Sequence, residues 1–345
     1  MNAEFWKGRR VLLTGHTGFK GGWLALWLEL LGAKVTGYSL PPTSPLSGLF
    51  HLGENIDSKE GDILDFSNLE NVVQISQPEL IFHLAAQSLV GEGYQNPVET
   101  YSTNVLGTVH LLEAARATKS LQAIINITSD KCYENREWIW GYREEEPMGG
   151  KDPYSSSKGC AELVTRAYRD SFFSKTGVAL ASVRAGNVIG GGDWAKDRLV
   201  PDVLNALSQG KPIFLRNPNA VRPWQHVLEP LEGYLLLAER LFMEGNVWAE
   251  GWNFGPLDSK SVRWVAEHII NCWGGGSIEL SNSISFHEAH FLYLDSTKAR
   301  SRLCWHPRWN VQRALAATVD WHRAWMSCQD MRIFSIGQIQ DFLGA

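Results

Sequence analysis

Tyr154 and Lys158 stand four residues apart in the run PYSSSK, far downstream of a glycine-rich turn, TGHTGFKGG, that spans Thr14 to Gly22. Residues at that spacing on a helix share one face, so a phenol and an ammonium are brought together. A phenol with its ordinary pKa of about 10 is a poor base near neutrality. A positive charge about 4 Å away, at an effective dielectric near 20, contributes about 4 kcal/mol, or about three pK units. That brings the phenol near 7 and makes it a competent base for an alcohol or sugar hydroxyl.

The glycine turn follows the apolar run Val11-Leu12-Leu13 and precedes the helical pattern from Trp23 to Leu28. In that setting the backbone amides at a helix start cradle a pyrophosphate, so Gly15, Thr17, Gly18, Phe19, Lys20 and Gly21 are the expected cofactor contacts. The acid that commonly follows the second strand and holds a ribose 2'-hydroxyl is replaced here by Tyr38-Ser39-Leu40. There is also no Arg between Leu31 and Lys59 to clamp a 2'-phosphate, which favours NAD over NADP. A second cluster, ITSDKCY at 127–133, directly follows an apolar strand pattern. It places Ser129, Asp130 and Lys131 at the carboxyl edge of a sheet, where ligands of such folds bind.

The elements that position these groups alternate along the first half of the chain. Strands are expected at Arg10-Thr14, Lys34-Tyr38, about Ile56-Glu60, Leu80-Leu84, Ala123-Ile127 and Ala179-Val183. Helices are expected at Lys20-Leu31, Asn68-Ile75, Pro97-Ala117 and Pro153-Ser174, with Pro97 and Pro153 in first turns. This rhythm predicts an α/β protein with a doubly wound parallel sheet. After about Gly186 it breaks into Gly- and Pro-punctuated pieces with helices near Val200-Ser208, Pro230-Leu241 and Val262-Trp273. Residues 1–186 are therefore expected to form the dinucleotide-binding domain with the catalytic residues. Residues 187–345 are expected to form a smaller substrate lobe, with chain crossovers between the two. Among the fifteen tryptophans, the pairs Trp23/Trp27 and Trp321/Trp325 have core spacing. Trp138, Trp140, Trp194 and Trp224 fall in loops, where one or two of them could wall a cleft.

Composition narrows the partners. A net charge of -5 with mixed signs argues against nucleic acid, and no run of eighteen apolar residues is present to span a membrane. Five cysteines without a CxxC pair fit reduced thiols and a cytoplasmic setting. His287 and His290 in HEAH lack HExxH spacing and a third ligand, so no metal is expected there.

The blocks TGHTGFKGGW, HLAAQSLV, TNVLGT, TSDKCY, DPYSSSKGCAEL, RAGNVIGGGDW, RPWQHVLEP and WNFGP resemble the extended short-chain dehydrogenase/reductase superfamily. Within it they are most similar to the CDP-glucose 4,6-dehydratase family, and they span roughly residues 8–310. The resemblance implies a Rossmann fold, NAD regenerated at every turnover, and CDP-glucose as substrate. Tyr154 would take the 4-hydroxyl proton, with Lys158 holding the nicotinamide ribose. Lys131 would remove the C5 hydrogen and Asp130 would protonate the departing 6-hydroxyl. Relatives acting on other nucleotide sugars carry Glu where Lys131 stands. A lysine base must be neutral, so a cationic Lys131 that stabilises the C5 enolate is the competing role.

The same resemblance places Asp62 and Ile63 against adenine, Ala85 and Ala86 along the cofactor groove, and Asn104 as an organiser of the backbone there. Asn187, Arg198 and Arg222 would hold the nucleotide diphosphate. It further implies a homodimer or homotetramer built through the helices at Pro97-Ala117 and Pro153-Ser174, and a product that feeds bacterial surface-polysaccharide synthesis. Another nucleotide-sugar dehydratase, a 4-epimerase or a reductase on the same scaffold is the alternative. A nucleotide-sensing protein without catalysis is the more distant one.

Overall fold

The computed structural model describes residues 2–280 and 291–344; HEAH at 287–290 lies outside the described residues. Seven strands form one parallel sheet: β1 (Arg10–Thr14), β2 (Lys34–Ser39), β3 (Asp57–Glu60), β4 (Leu80–His83), β5 (Ala123–Ile127), β6 (Ala179–Ala185) and β7 (Gly251–Phe254). Their spatial order is β7-β6-β5-β4-β1-β2-β3. From β1 the chain winds outward to β3, then returns to the other side of β1 to start β4. That reversal opens a crevice beyond the carboxyl ends of β1 and β4. Thr14 and His83 end these two strands as register partners, so the loops that follow them face each other.

Strands β4, β5 and β6 are buried at every residue, as a sheet covered on both faces requires. On one face lie α1 (Phe19–Leu30) and α5 (Leu228–Glu244), which bury Trp23, Trp27, Leu231 and Tyr234. On the other lie α2 (Phe66–Ser76) and α3 (Gly107–Arg116), with Leu69, Val73, Leu111 and Leu112 inward. Trp23, Trp27 and Trp321 are core residues, as their spacing predicts. A separate cluster joins the helices Leu199–Ser208, Val262–Trp273 and Val311–Met326.

Helix α4 (Pro153–Tyr168) carries the Tyr-Lys pair. The Asp152 carboxylate caps it by accepting from the Ser155 amide, and Pro153 sits where no amide is needed. Its inner face is a ladder of Tyr154, Lys158, Glu162 and Thr165.

Three expectations differ in detail, the first being the helix read over Pro153-Ser174, which leaves α4 for a π-turn at Arg169–Phe173. The helix read over Pro97-Ala117 is Pro97–Tyr101, a π-turn Ser102–Leu106, then α3. The wide turn presents Asn104 sideways, where it bonds two other elements, and one-turn π-bulges recur at functional sites. The sheet also takes its seventh strand, β7, from far past residue 187, and β7 pairs with β6. No helix among the described residues is long and apolar enough to cross a membrane, and no cluster of His, Cys, Asp and Glu there could hold a metal ion.

Candidate active site

The glycine turn fits a dinucleotide for steric reasons. Gly15 has φ +75°, and a Cβ there would stand 2.7 Å from the Ala85 amide nitrogen. A Cβ at Gly21 would lie 2.0 Å from the Gly15 carbonyl oxygen. Gly18 caps α1 without any side-chain acceptor, so the first-turn amides stay available for a phosphate. The Thr17 hydroxyl is 2.7 Å from that of Ser39, which ties the turn to the end of β2.

Phe19 and Lys20 follow in the first turn of α1, half-buried, and Ala85 and Ala86 follow β4, with the Ala85 backbone close against Gly15. The Ala85 amide donates to the Thr14 hydroxyl, which also contacts His83 Nδ1 at 2.7 Å. Burial holds His83 down to about 3, so it bridges as a neutral ring.

On the far side of the groove, Tyr38 is buried and donates its hydroxyl to the Asp62 carbonyl at 2.8 Å. The aromatic ring that stands in place of the common acid thus shapes the loop that carries Asp62 and Ile63. The Asp62 carboxylate accepts from the Leu64 amide, and Ile63 is packed under Gly107. Asn104 accepts from the Gln87 amide, donates to the Gln87 carbonyl, and donates to Ser157 on α4 at 2.8 Å. It clamps the loop after β4 to α4.

Ser129, Asp130 and Lys131 leave the end of β5 in a short helical turn capped by Ser129 itself. Ser129 donates to Asp130 Oδ1 at 3.0 Å, and its hydroxyl also favours the anionic form of the Tyr154 phenol. Burial raises the Asp130 carboxyl above its ordinary range, against Lys131, Ser129, Arg222 and Lys20, which all favour the anion. Asp130 Oδ2 is buried without a partner. A buried carboxyl that holds its proton more tightly than an exposed one is suited to be a general acid.

The charge arithmetic for the Tyr-Lys pair is overturned. Burial pushes the Tyr154 phenol up to about 12, with Ser129 and Arg198 pulling the other way. Burial, and then Lys20, bring the Lys158 ammonium down to about 7. At 7% exposure, removing a phenolate from water outweighs the single charge that spacing alone suggests. The phenol therefore needs more cationic charge at its side to lose its proton near neutrality.

A buried ion pair anchors this helix. Arg184 on β6 meets Glu162 at 2.8 Å, and Thr128 and Ser182 donate to the same carboxylate. Arg184 also donates to the Tyr133 hydroxyl, which donates in turn to Asn253 on β7. Glu162 is absent from the sequence-based site, although it continues the i, i+4 series of Tyr154 and Lys158. Arg184 had no such signal.

Asn187 lies half-buried on a short strand paired with Trp224. Arg198 pairs with Asp193 at 3.0 Å and reaches Ser88 in the loop after β4 at 3.2 Å, so it spans the cleft. Arg222 is buried and lines one pocket with Lys131, Ser155 and Tyr133. The loop tryptophans stand apart from that pocket: Trp194 packs on Trp321 and Trp325, Trp224 is buried, Trp138 stacks on Tyr142, and Trp140 is exposed.

The doubly wound sheet, the glycine cradle and a Tyr-Lys pair on a buried helix face define an extended short-chain dehydrogenase/reductase. The sequence model of the GDP-mannose 4,6 dehydratase family matches residues 12–318, and the chain belongs to that family. It is 53% identical to a CDP-glucose 4,6-dehydratase of Salmonella typhimurium, over 100% of this chain and 99% of that protein. It is 24% identical to a dTDP-glucose 4,6-dehydratase of Xanthomonas campestris, over 90% and 92%. Among solved structures, the dTDP-glucose 4,6-dehydratase of Bacillus anthracis in complex with NAD superposes with a TM-score of 0.79, at 22% identity and over 94% of this chain and 100% of that one. The UDP-glucose 4-epimerase of Brucella ovis in complex with NAD gives 0.79 at 23% identity, over 90% and 97%.

Proposed function

We propose that the protein converts CDP-D-glucose to CDP-4-dehydro-6-deoxy-D-glucose and water. The observation that carries the reading is the buried Asp130 carboxyl, held toward its acid form and linked through Ser129 to the Tyr154 phenol. An epimerase or a reductase needs the Tyr-Lys pair but no acid and base for C5 and C6. Close similarity over the full chain to a CDP-glucose enzyme supports the nucleotide choice.

Residues of the turn from Gly15 to Gly21 would hold the pyrophosphate of NAD, with Asp62, Ile63, Ala85, Ala86 and Asn104 around the rest. NAD, when bound, supplies an acceptor for the hydride from C4 that serves as donor to C6 in the same turnover. Tyr154 Oη takes the proton of the 4-hydroxyl as C4 becomes a ketone, while Lys158 holds the adjacent ribose. The ketone acidifies the C5 hydrogen, which Lys131 Nζ removes. Asp130 delivers a proton to the departing 6-hydroxyl, and water leaves. Asn187, Arg198 and Arg222 bind the diphosphate, two of them with fork-shaped donors. Residues 1–186 carry the cofactor and chemistry, and residues 187–345 chiefly the nucleotide sugar.

The exposed Val98, Tyr101, Leu106 and Leu163 lie on the paired helices around Asn104 and on α4. We assign them to a homodimer or dimer-of-dimers interface in the cytoplasm; a sedimentation mass of one chain would contradict it. The function itself is tested by incubating the protein with CDP-glucose and NAD, without reductant. Alkali-induced absorbance of the 4-keto-6-deoxy product supports the dehydratase, and unchanged sugar or its epimer refutes it.

A further inference from the structure

Three buried polar atoms near the acid lack a hydrogen-bond partner: Asp130 Oδ2, the Tyr234 hydroxyl and Gln225 Oε1. Their residues are 3%, 0% and 2% exposed. They come from the turn after β5, from α5, and from the short strand Trp224–His226. Packing links their residues through shared neighbours. Gln225 donates Nε2 to the Phe254 carbonyl at 2.8 Å, and the Phe254 ring meets Tyr234 edge-on with centroids 5.6 Å apart. Gly186, beside Pro223, approaches Asp130 so closely that a Cβ there would lie 3.3 Å from Oδ2 and 2.6 Å from the proline ring. The Asp130 charge also acts on the Tyr234 phenol, which burial chiefly pushes up.

The chemistry of the three atoms is complementary. A neutral phenol donates, an amide oxygen accepts, and a carboxyl oxygen does either according to its proton. One water within reach of all three would satisfy them, accepting from Tyr234 and donating to Gln225 Oε1. With its remaining capacity it donates to ionised Asp130 or accepts from the protonated acid. Buried waters characteristically make about three such bonds to buried polar groups.

We propose that Tyr234 is a positioning residue for the dehydration step, acting on Asp130 through one buried water shared with Gln225. The proposal rests on Asp130 being the acid. Other groups face Asp130 too: Lys131 and Cys132 on its own turn, Lys20 from α1, Tyr154 from α4 and Arg222 from the substrate lobe. All of these remain in a Tyr234 variant, so a change in the acid's titration reports the phenol itself. Donation from Tyr234 polarises the water toward the carboxylate, and its loss makes Asp130 a weaker acid.

The test is the pH profile of kcat for dehydration, with NAD bound, in the wild type, Tyr234→Phe, Gln225→Met and Asp130→Asn. Tyr234→Phe should lower kcat roughly tenfold with KM little changed. It should also move the alkaline limb upward by about half a unit or more. Gln225→Met should move the same limb and serves if the Phe variant folds poorly. Limbs that superpose on the wild type in both variants, while Asp130→Asn abolishes dehydration, overturn the role of Tyr234 alone. Dehydration at the wild-type rate in Asp130→Asn overturns the acid assignment and this inference with it.

Discussion

Glu162 and Arg184 meet at 2.8 Å with side chains only 4% and 5% exposed, and this pair fixes α4 to β6. Removing one partner leaves a buried charge uncompensated. Glu162→Gln should therefore cost roughly 3–5 kcal/mol of stability, measured by urea denaturation. Desolvation would raise the Glu162 carboxyl, but Arg184, Ser182 and Thr128 outweigh it and hold it below its ordinary value. Its contribution is then full above the unfolded carboxyl pKa and is lost as pH falls through the lower folded value. The wild type should lose stability more steeply with acid than the variant does.

Lys158 gives the opposite balance of stability and activity. Its folded value of about 7 lies below its ordinary 10.5, so the folded protein resists its charge. Ligand-free stability should rise with pH between those two values, because the unfolded chain binds more protons there. Lys158→Met should remove that slope and raise stability by about 1–3 kcal/mol. Turnover should fall by at least about a hundredfold. Equal slopes in both proteins would refute the assignment.

Gly21→Ala should weaken dinucleotide binding by at least about tenfold, because the new Cβ must displace the Gly15 carbonyl that shapes the cradle. Gly48→Ala, where nothing lies within 4 Å, is the control. A fluorescence titration with NAD that gives equal affinities for the two variants would count against the cradle.

Tyr154→Phe should bind CDP-glucose normally yet turn over more slowly by about 10²–10⁴-fold. Product assay and calorimetric titration on the same preparation separate the two effects. Undiminished turnover would remove the phenol from the mechanism.

Lys131→Met should stop solvent deuterium from entering C5 of the product, read by mass spectrometry. Incorporation at the normal rate would place the base elsewhere and leave Lys131 as the cation beside the enolate.

Much of the scaffold was legible in local pattern. Strands β1 and β5 have the bounds their apolar runs predict, because a strand buried on both faces is written as an uninterrupted apolar segment. The glycine turn and the spacing of Tyr154 and Lys158 were equally local, since one helix start and one helix face decide them. Continuing that spacing one more turn would have found Glu162. Trp138, Trp140, Trp194 and Trp224 read alike as loop residues, but a loop residue's burial depends on distant partners, as Trp194 shows by packing on Trp321 and Trp325.

By itself, then, the sequence determined the winding of the sheet, the place of the glycine turn and the spacing that puts Tyr154 and Lys158 on one helix face. Those properties follow from periods of two and 3.6 residues and from backbone conformations that glycine permits. The tertiary structure alone decided that Arg184 closes on Glu162, that β7 joins β6 from across the chain, and that Tyr234 comes within reach of the Asp130 charge. It also decided the sign of the Tyr154 shift. Desolvation is a property of everything packed around a group, and no spacing along the chain encodes it.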